Sequence, residues 1–170
     1  LYPRDWYRAM SRFDPSKCEG EATPKEQDII KKLVEEAILS GVIVRRPEQM
    51  IEYSIDLPAM QSRITGFVDS VSPGLIEDHK TTKNMKYALS PGNLKNSIQM
   101  NIYAKAMWTD VSKDNKVTLR HNVFCKDPNN LKIKKVEIDL EKPELDKRWQ
   151  SILKIVQSME QIQDTSLEAW

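Results

Sequence analysis

Apolar residues recur along this chain with two different periods, and the change from one to the other divides it into elements. From Thr23 the period is helical: Ile29, Ile30, Leu33, Val34, Ala37 and Ile38 return every three or four residues and line one face. Thr23 can serve as N-cap, Pro24 takes the first helical position, Glu26 stands where a capping box needs an acid, and Gly41 marks the end. Alternation then replaces the helical period. Met50 to Leu57 (Ile51, Tyr53, Ile55), Arg63 to Val71 (Ile64, Phe67, Val68) and Leu75 to Thr81 read as three strands. The turn Ser72-Pro73-Gly74 is short enough to make the last two a hairpin.

A polar loop with Ser90-Pro91-Gly92 leads to a second helix, Leu94 to Trp108, with Ile98, Ile102, Ala106 and Met107 at helical spacing. Strands Lys116 to Cys125 and Leu131 to Leu140 follow around Asp127-Pro128-Asn129-Asn130. In the second of them Ile133, Val136, Ile138 and Leu140 interleave with Lys132, Lys134, Lys135 and Glu137. A last helix starts near Pro143 and passes through Trp149, Ile152, Leu153, Ile155, Val156 and Met159. The stretch before Glu21, with Tyr2, Trp6, Tyr7 and Phe13, reads as a short helix or packed arm turning at Asp14-Pro15. The order α-β-β-β-α-β-β-α predicts an α/β fold of the α+β kind with a mixed sheet. No repeat or linker divides it, so residues 1–170 are expected to form a single domain; a start at Leu1 rather than methionine suits a trimmed chain or a piece of a longer one.

With 170 residues, 39% of them hydrophobic, one adequate core is expected. There is no apolar run of about 18 residues and no signal-peptide pattern, so the expected setting is cytoplasmic, with no membrane. Cys18 and Cys125 form no CxxC, and His79 and His121 are too few for a zinc site, which argues against structural zinc and against an iron–sulfur cluster. A metal here would be a hard cation held by carboxylates. The net charge of +1 means that any nucleic-acid surface must concentrate its lysines locally.

The candidate chemistry lies in the hairpin. Gly66-Phe67-Val68-Asp69 ends one strand, and Leu75-Ile76-Glu77-Asp78-His79-Lys80-Thr81 forms the next. Alternation gives Asp78 and Lys80 the same strand face, and the short turn brings Asp69 beside them. Two carboxylates can hold Mg²⁺ or Mn²⁺, the His79 backbone carbonyl can add a further ligand, and the lysine can orient a water or stabilise developing charge. Glu77, facing the other side, is expected to be structural or to support the site residues from behind. The plainer alternative is a surface ion pair of Asp78 with Lys80.

These residues resemble the RecB-like, phage-exonuclease branch of the PD-(D/E)XK nucleases, in which G-x-x-D, an apolar-apolar-D-x-K-T strand and a helical Q-x-x-x-Y follow in order. Gly66 and Asp69, then Leu75 to Thr81, then Gln99 and Tyr103 match that order, and the resemblance covers roughly residues 24–108. It implies a restriction-endonuclease-like αβββαβ core with flanking helices. It also implies a Mg²⁺- or Mn²⁺-dependent deoxyribonuclease, an exonuclease or structure-selective enzyme of recombination, replication or repair, working on DNA and with a possible partner protein. Gln99 and Tyr103 would then lie near both the active site and the DNA. The family adds a metal-site group from the preceding helix; the helical wheel puts Glu26 near the middle of the apolar face and Glu36 on its flank, so Glu26 is the first candidate and Glu36 the second. Lys83, Lys86, Lys95 and Lys105 are the candidate phosphate contacts. An inactive nuclease-fold module that binds DNA or protein, and an RNA-cleaving endonuclease, are the competing expectations.

Overall fold

Thr23 starts the first helix as its sequence predicts. In the computed structural model, which describes residues 23–42, 51–57, 60 and 62–167, helix α1 spans Pro24–Leu39 and carries a complete capping box. Its other end closes as a Schellman motif: Gly41 takes φ 66°, its N–H donates to the Ile38 carbonyl, and Val42 N–H donates to the Ala37 carbonyl. The aromatic N-terminal stretch lies outside the described residues.

Strand β1 (Ile51–Asp56) pairs antiparallel with β2 (Arg63–Val68) in a two-stranded sheet, with Tyr53 opposite Gly66. The expected single strand from Arg63 to Val71 is interrupted: the chain bends at Asp69 and resumes as β3 (Ser70–Ser72), in a different sheet. That second sheet has the order β3-β4-β5-β6, with β4 at Leu75–Thr82, β5 at Lys116–Cys125 and β6 at Lys132–Glu141. β3 and β4 form the predicted hairpin. β4 and β5 run parallel, because Thr118 N–H donates to Gly74 O and Lys126 N–H to Thr82 O, both pairs 44 residues apart. β5 and β6 run antiparallel, with Thr118 bonded to Asp139 and Arg120 to Glu137. The fold is therefore α+β with a mixed sheet.

The expected second helix is two: α2 (Pro91–Lys95) and α3 (Ile98–Val111). Ser97 breaks the run with extended backbone and caps α3 by accepting from Met100 N–H, while the buried Asn101 amide donates to the carbonyls of Lys95 and Ser97 and ties the joint. Together α2 and α3 supply the crossover that a parallel β4–β5 pair requires. Helix α4 runs Lys142–Leu167.

The described chain divides into two compact units, one from residues 51–78, 89–121 and 136–167, the other from residues 23–42, 79–88 and 122–135. In the first, Val68, Ile76, Leu94, Met100, Ala104, Leu119, Leu140 and Leu145 form the main core, and Leu57, Trp149 and Ile152 a second cluster. Ile76, Glu77 and Asp78 are buried in succession, so β4 is covered on both faces there. Among the described residues no helix is long and apolar enough to cross a membrane.

Candidate active site

The β3–β4 ladder pairs Ser72 with Leu75, Val71 with Ile76 and Ser70 with Glu77. Continued by one residue, this register sets Asp69 opposite Asp78. Asp69 occupies the bend between β2 and β3 and is half-exposed, whereas Asp78 is 1% exposed. The break in the strand thus holds one acid at the rim and its partner in the interior.

Gln99 and Tyr103, one turn apart on α3, join through a Gln99 Nε2 to Tyr103 Oη hydrogen bond of 2.6 Å. Burial lifts the Tyr103 phenol above its ordinary pKa; the Gln99 hydrogen bond lowers it, and the carboxylates of Asp78 and Asp69 raise it further. Tyr103 also shares one core cluster with Val68 and Ile76, the residues next to Asp69 and two before Asp78, so helix and hairpin pack together. Tyr53 belongs to the same group. Its ring meets that of Tyr103 edge to face, with centroids 5.9 Å apart at 72°, and burial raises its pKa too.

Tyr53 explains Gly66. A Cβ at Gly66 would lie 2.7 Å from Tyr53 Oη and 3.0 Å from Cζ, so the tyrosine crosses the sheet only because its neighbour has no side chain. Gly66→Ala should cost about 1–3 kcal/mol by urea denaturation, the usual penalty for overpacking. In a Tyr53→Phe background, which removes the nearest clashing atom, the cost should shrink; an equal cost in both backgrounds would refute this account.

Adjacent to Asp78, Glu77 is structural, as expected from its opposite face. Buried, it accepts from Arg120 Nη1 at 2.9 Å and from Ser70 Oγ at 3.2 Å, while Arg120 Nε donates to Glu137 at 2.6 Å. Asp78 has a neighbour on β5 as well: His121 Nε2 lies 3.3 Å from Asp78 Oδ2, and both side chains are buried. His79, the residue whose carbonyl was the candidate ligand, is half-buried, with its ring edge-on to Phe124 and Nδ1 3.2 Å from Asn122 Nδ2. Lys80, two residues beyond Asp78 on β4, is exposed.

Glu26 corrects the helical-wheel expectation. It is exposed, and its carboxylate accepts from Thr23 N–H at 2.9 Å and from the Thr23 hydroxyl at 2.8 Å; these bonds hold its carboxyl below the usual range. The wheel placed it on the apolar face, but it lies in the first turn, where capping takes the side chain. Glu36 is half-buried. Glu26→Gln is expected to leave Mn²⁺ affinity, read by calorimetry, at the wild-type value; a weakened affinity would return Glu26 to the site.

The four lysines divide. Lys83 and Lys86 are exposed, with Lys86 Nζ 5.0 Å from the centre of the Tyr87 ring. Lys95 is paired with Glu144 at 2.6 Å, so its charge is already answered. Lys105 stands about 200° round α3 from Tyr103, with Nζ 5.7 Å from the centre of the Trp149 ring. It faces away from Tyr103, so a phosphate that it meets lies on the other side of α3.

Among the described residues no three His, Cys, Asp or Glu side chains are gathered as a ready metal cage. Mg²⁺ takes one or two protein carboxylates and leaves the rest of its shell to water and phosphate, and Asp69 and Asp78 meet that requirement in donor type. Tyr53 and His121 were missed in the sequence. An alternating strand holds a tyrosine or a histidine without any local signal, and only the pairing of strands shows what each one meets.

No family profile and no curated protein matches the chain. Among solved structures, the crystal structure of SSO0001 aligns with 90% of this chain and 71% of its own at 15% identity, with a TM-score of 0.35. A likeness at that score bears on neither fold nor function.

Proposed function

We propose that the chain is a Mg²⁺- or Mn²⁺-dependent nuclease of the PD-(D/E)XK kind, hydrolysing phosphodiester bonds of DNA. The observation that carries this reading is the β3–β4 hairpin, whose last printed pair, Ser70 with Glu77, is followed directly by Asp69 on one side and the buried Asp78 on the other. Asp69 and Asp78 would hold the cation. When bound, it would offset the negative charge of the phosphodiester and favour ionisation of the attacking water. The strand period gives Lys80 the face of Asp78, where its ammonium can orient that water and stabilise charge growing on the phosphate oxygens. The bonded pair Gln99–Tyr103 can present an amide or a hydroxyl to the phosphate. Lys83 and Lys86, both exposed, remain candidates for backbone contact.

Incubation of linear and circular, single- and double-stranded DNA, and of RNA, with Mg²⁺ or Mn²⁺ tests the reading. Cleavage of DNA that disappears in Lys80→Ala and Asp69→Ala is expected. Absence of Mn²⁺-supported cleavage, or its survival in both variants, refutes it; cleavage confined to RNA replaces the substrate.

A further inference from the structure

We infer that the turn after β4 and the β5–β6 turn together form a surface for single-stranded DNA, on which Tyr87 stacks a base and the lysines around it hold phosphates. The choice of DNA rests on the nuclease reading above; the strand form goes beyond it. Charge singles out this part of the chain. Residues 79–88 carry Lys80, Lys83 and Lys86 and no acid, and residues 122–135 carry Lys126, Lys132, Lys134 and Lys135 against Asp127 alone. In a chain whose net charge is +1, these two short segments hold the local concentration of lysine that a phosphate backbone needs.

The fold brings the two segments together within one compact unit. Lys126 N–H donates to the Thr82 carbonyl at 2.8 Å, and Cys125 Sγ lies 3.8 Å from the Lys83 carbonyl oxygen. The start of β6 lies at the same end of the sheet, because β5 and β6 run antiparallel and join through residues 126–131. Lys83, Lys86, Lys126, Lys132 and Lys134 are all exposed. Unlike Lys32, Lys95, Lys116 and Lys142, none of the five is ion-paired among the described residues. Asp127, the one acid, accepts from Asn129 N–H at 3.0 Å and shapes the turn.

Tyr87 gives the surface its selectivity. Its ring is 71% exposed, with Lys86 Nζ 5.0 Å from the ring centre. Single exposed aromatics are ordinary on protein surfaces, and Phe67, which stands opposite Glu52 in the β1–β2 pair, is one of them. Tyr87 differs in lying among lysines. The turn that carries it is held by its own hydrogen bonds. Thr82 Oγ1 donates to the Asn84 carbonyl at 2.9 Å, Asn84 Oδ1 accepts from Lys86 N–H at 3.0 Å, and Ala88 N–H donates to the Met85 carbonyl at 3.1 Å. A ring beside cations recognises an unpaired base, whose flat face is free. It adds little on a duplex, whose bases already stack on one another.

Fluorescence anisotropy with the full chain in EDTA tests this, using labelled oligo-dT, the same strand annealed to oligo-dA, and oligo-U. Chelation keeps the strands intact and makes the reading independent of cleavage. Oligo-dT is expected to bind more tightly than the duplex. Tyr87→Ala should weaken oligo-dT binding about 10-fold or more, the scale of one lost base stack, and leave duplex binding nearly unchanged; Tyr87→Phe should keep the wild-type affinity. Lys83→Gln, Lys86→Gln and Lys126→Gln together should lower the slope of log affinity against log salt by about 2, at about 0.7 per phosphate contact. Removing equal charge elsewhere, by Lys25→Gln, Lys147→Gln and Lys154→Gln, should leave that slope as it is. Duplex bound as tightly as the single strand, wild-type affinity in Tyr87→Ala, or an equal loss of slope in the control triple overturns the inference. Oligo-U bound more tightly than oligo-dT overturns its choice of DNA. None of these outcomes touches the nuclease reading, which the cleavage assay decides. Single-strand binding without cleavage upholds the surface and refutes the nuclease.

Discussion

In the proposed nuclease, Asp78→Asn is expected to lower the single-turnover rate of DNA cleavage by at least about 10²–10³-fold, the scale of losing one preorganised electrostatic element from an active site. The amide matches the carboxylate in volume, so no cavity opens in the strand that also buries Ile76 and Glu77. What changes is charge. The site keeps Asp69 and Lys80 but loses the buried half of its acidic pair, and His121 then faces a neutral group. Cleavage measured at saturating enzyme with Mn²⁺ reads the rate, and circular dichroism confirms that the variant is folded. A folded Asp78→Asn protein that keeps most of the wild-type rate would remove Asp78 from catalysis and the proposed function with it.

Arg120→Met is expected to destabilise the fold by about 3 kcal/mol, because removing one member of a buried ion pair leaves the other's charge uncompensated in the interior. Glu77 is 2% exposed and lies between Ser70 and Arg120, so after the substitution its carboxylate keeps a hydroxyl where it had a guanidinium. Two further variants separate this from loss of packing. Glu137→Gln removes the other acid on Arg120, which is largely exposed, and should cost under about 1 kcal/mol. Replacing Glu77 by Gln in the Arg120→Met protein should restore part of the loss, since it removes the stranded charge. Urea midpoints at constant slope measure all three. If Arg120→Met and Glu137→Gln cost the same, the buried pair is not what holds β4 to β5.

Much of this was legible in the residues, for particular reasons. The capping box at Thr23, the alternation of β1, β5 and β6, and the turn at Ser72-Pro73-Gly74 are local devices, and each appears where its residues predict it. The bend at Asp69 was passed over, because Val68 and Val71 both suit a strand; they are three apart, out of step with a period of two, and belong to different sheets. Ser97 could have been read as a cap, but Leu94 and Ile98 fall at helical spacing and hide the break. In the candidate site, the hairpin beside Asp69 and Asp78 and the Gln99–Tyr103 pair each form as their spacing suggested, since hairpin and helix geometry follow from short sequence intervals. Glu26 was misread by extending the wheel into a turn governed by capping. Lys105 was grouped by nearness in sequence with residues on the opposite side of its own helix. His121 depends on a strand pairing that no local pattern encodes.

That last pairing and the hairpin have different folding histories. Asp69 and Asp78 are nine residues apart, and the hairpin that joins them closes a small loop; Asp78 and His121 are 43 apart, across α2 and α3. Closing the longer loop costs about 1.4 kcal/mol more in chain entropy, and parallel pairing cannot begin until the intervening helices have brought β5 back to β4. The hairpin can assemble by local collapse, while β5 arrives by long-range search. Shortening or stiffening the connection between β4 and β5 would therefore act on the speed with which β5 joins the hairpin, without touching the residues of either.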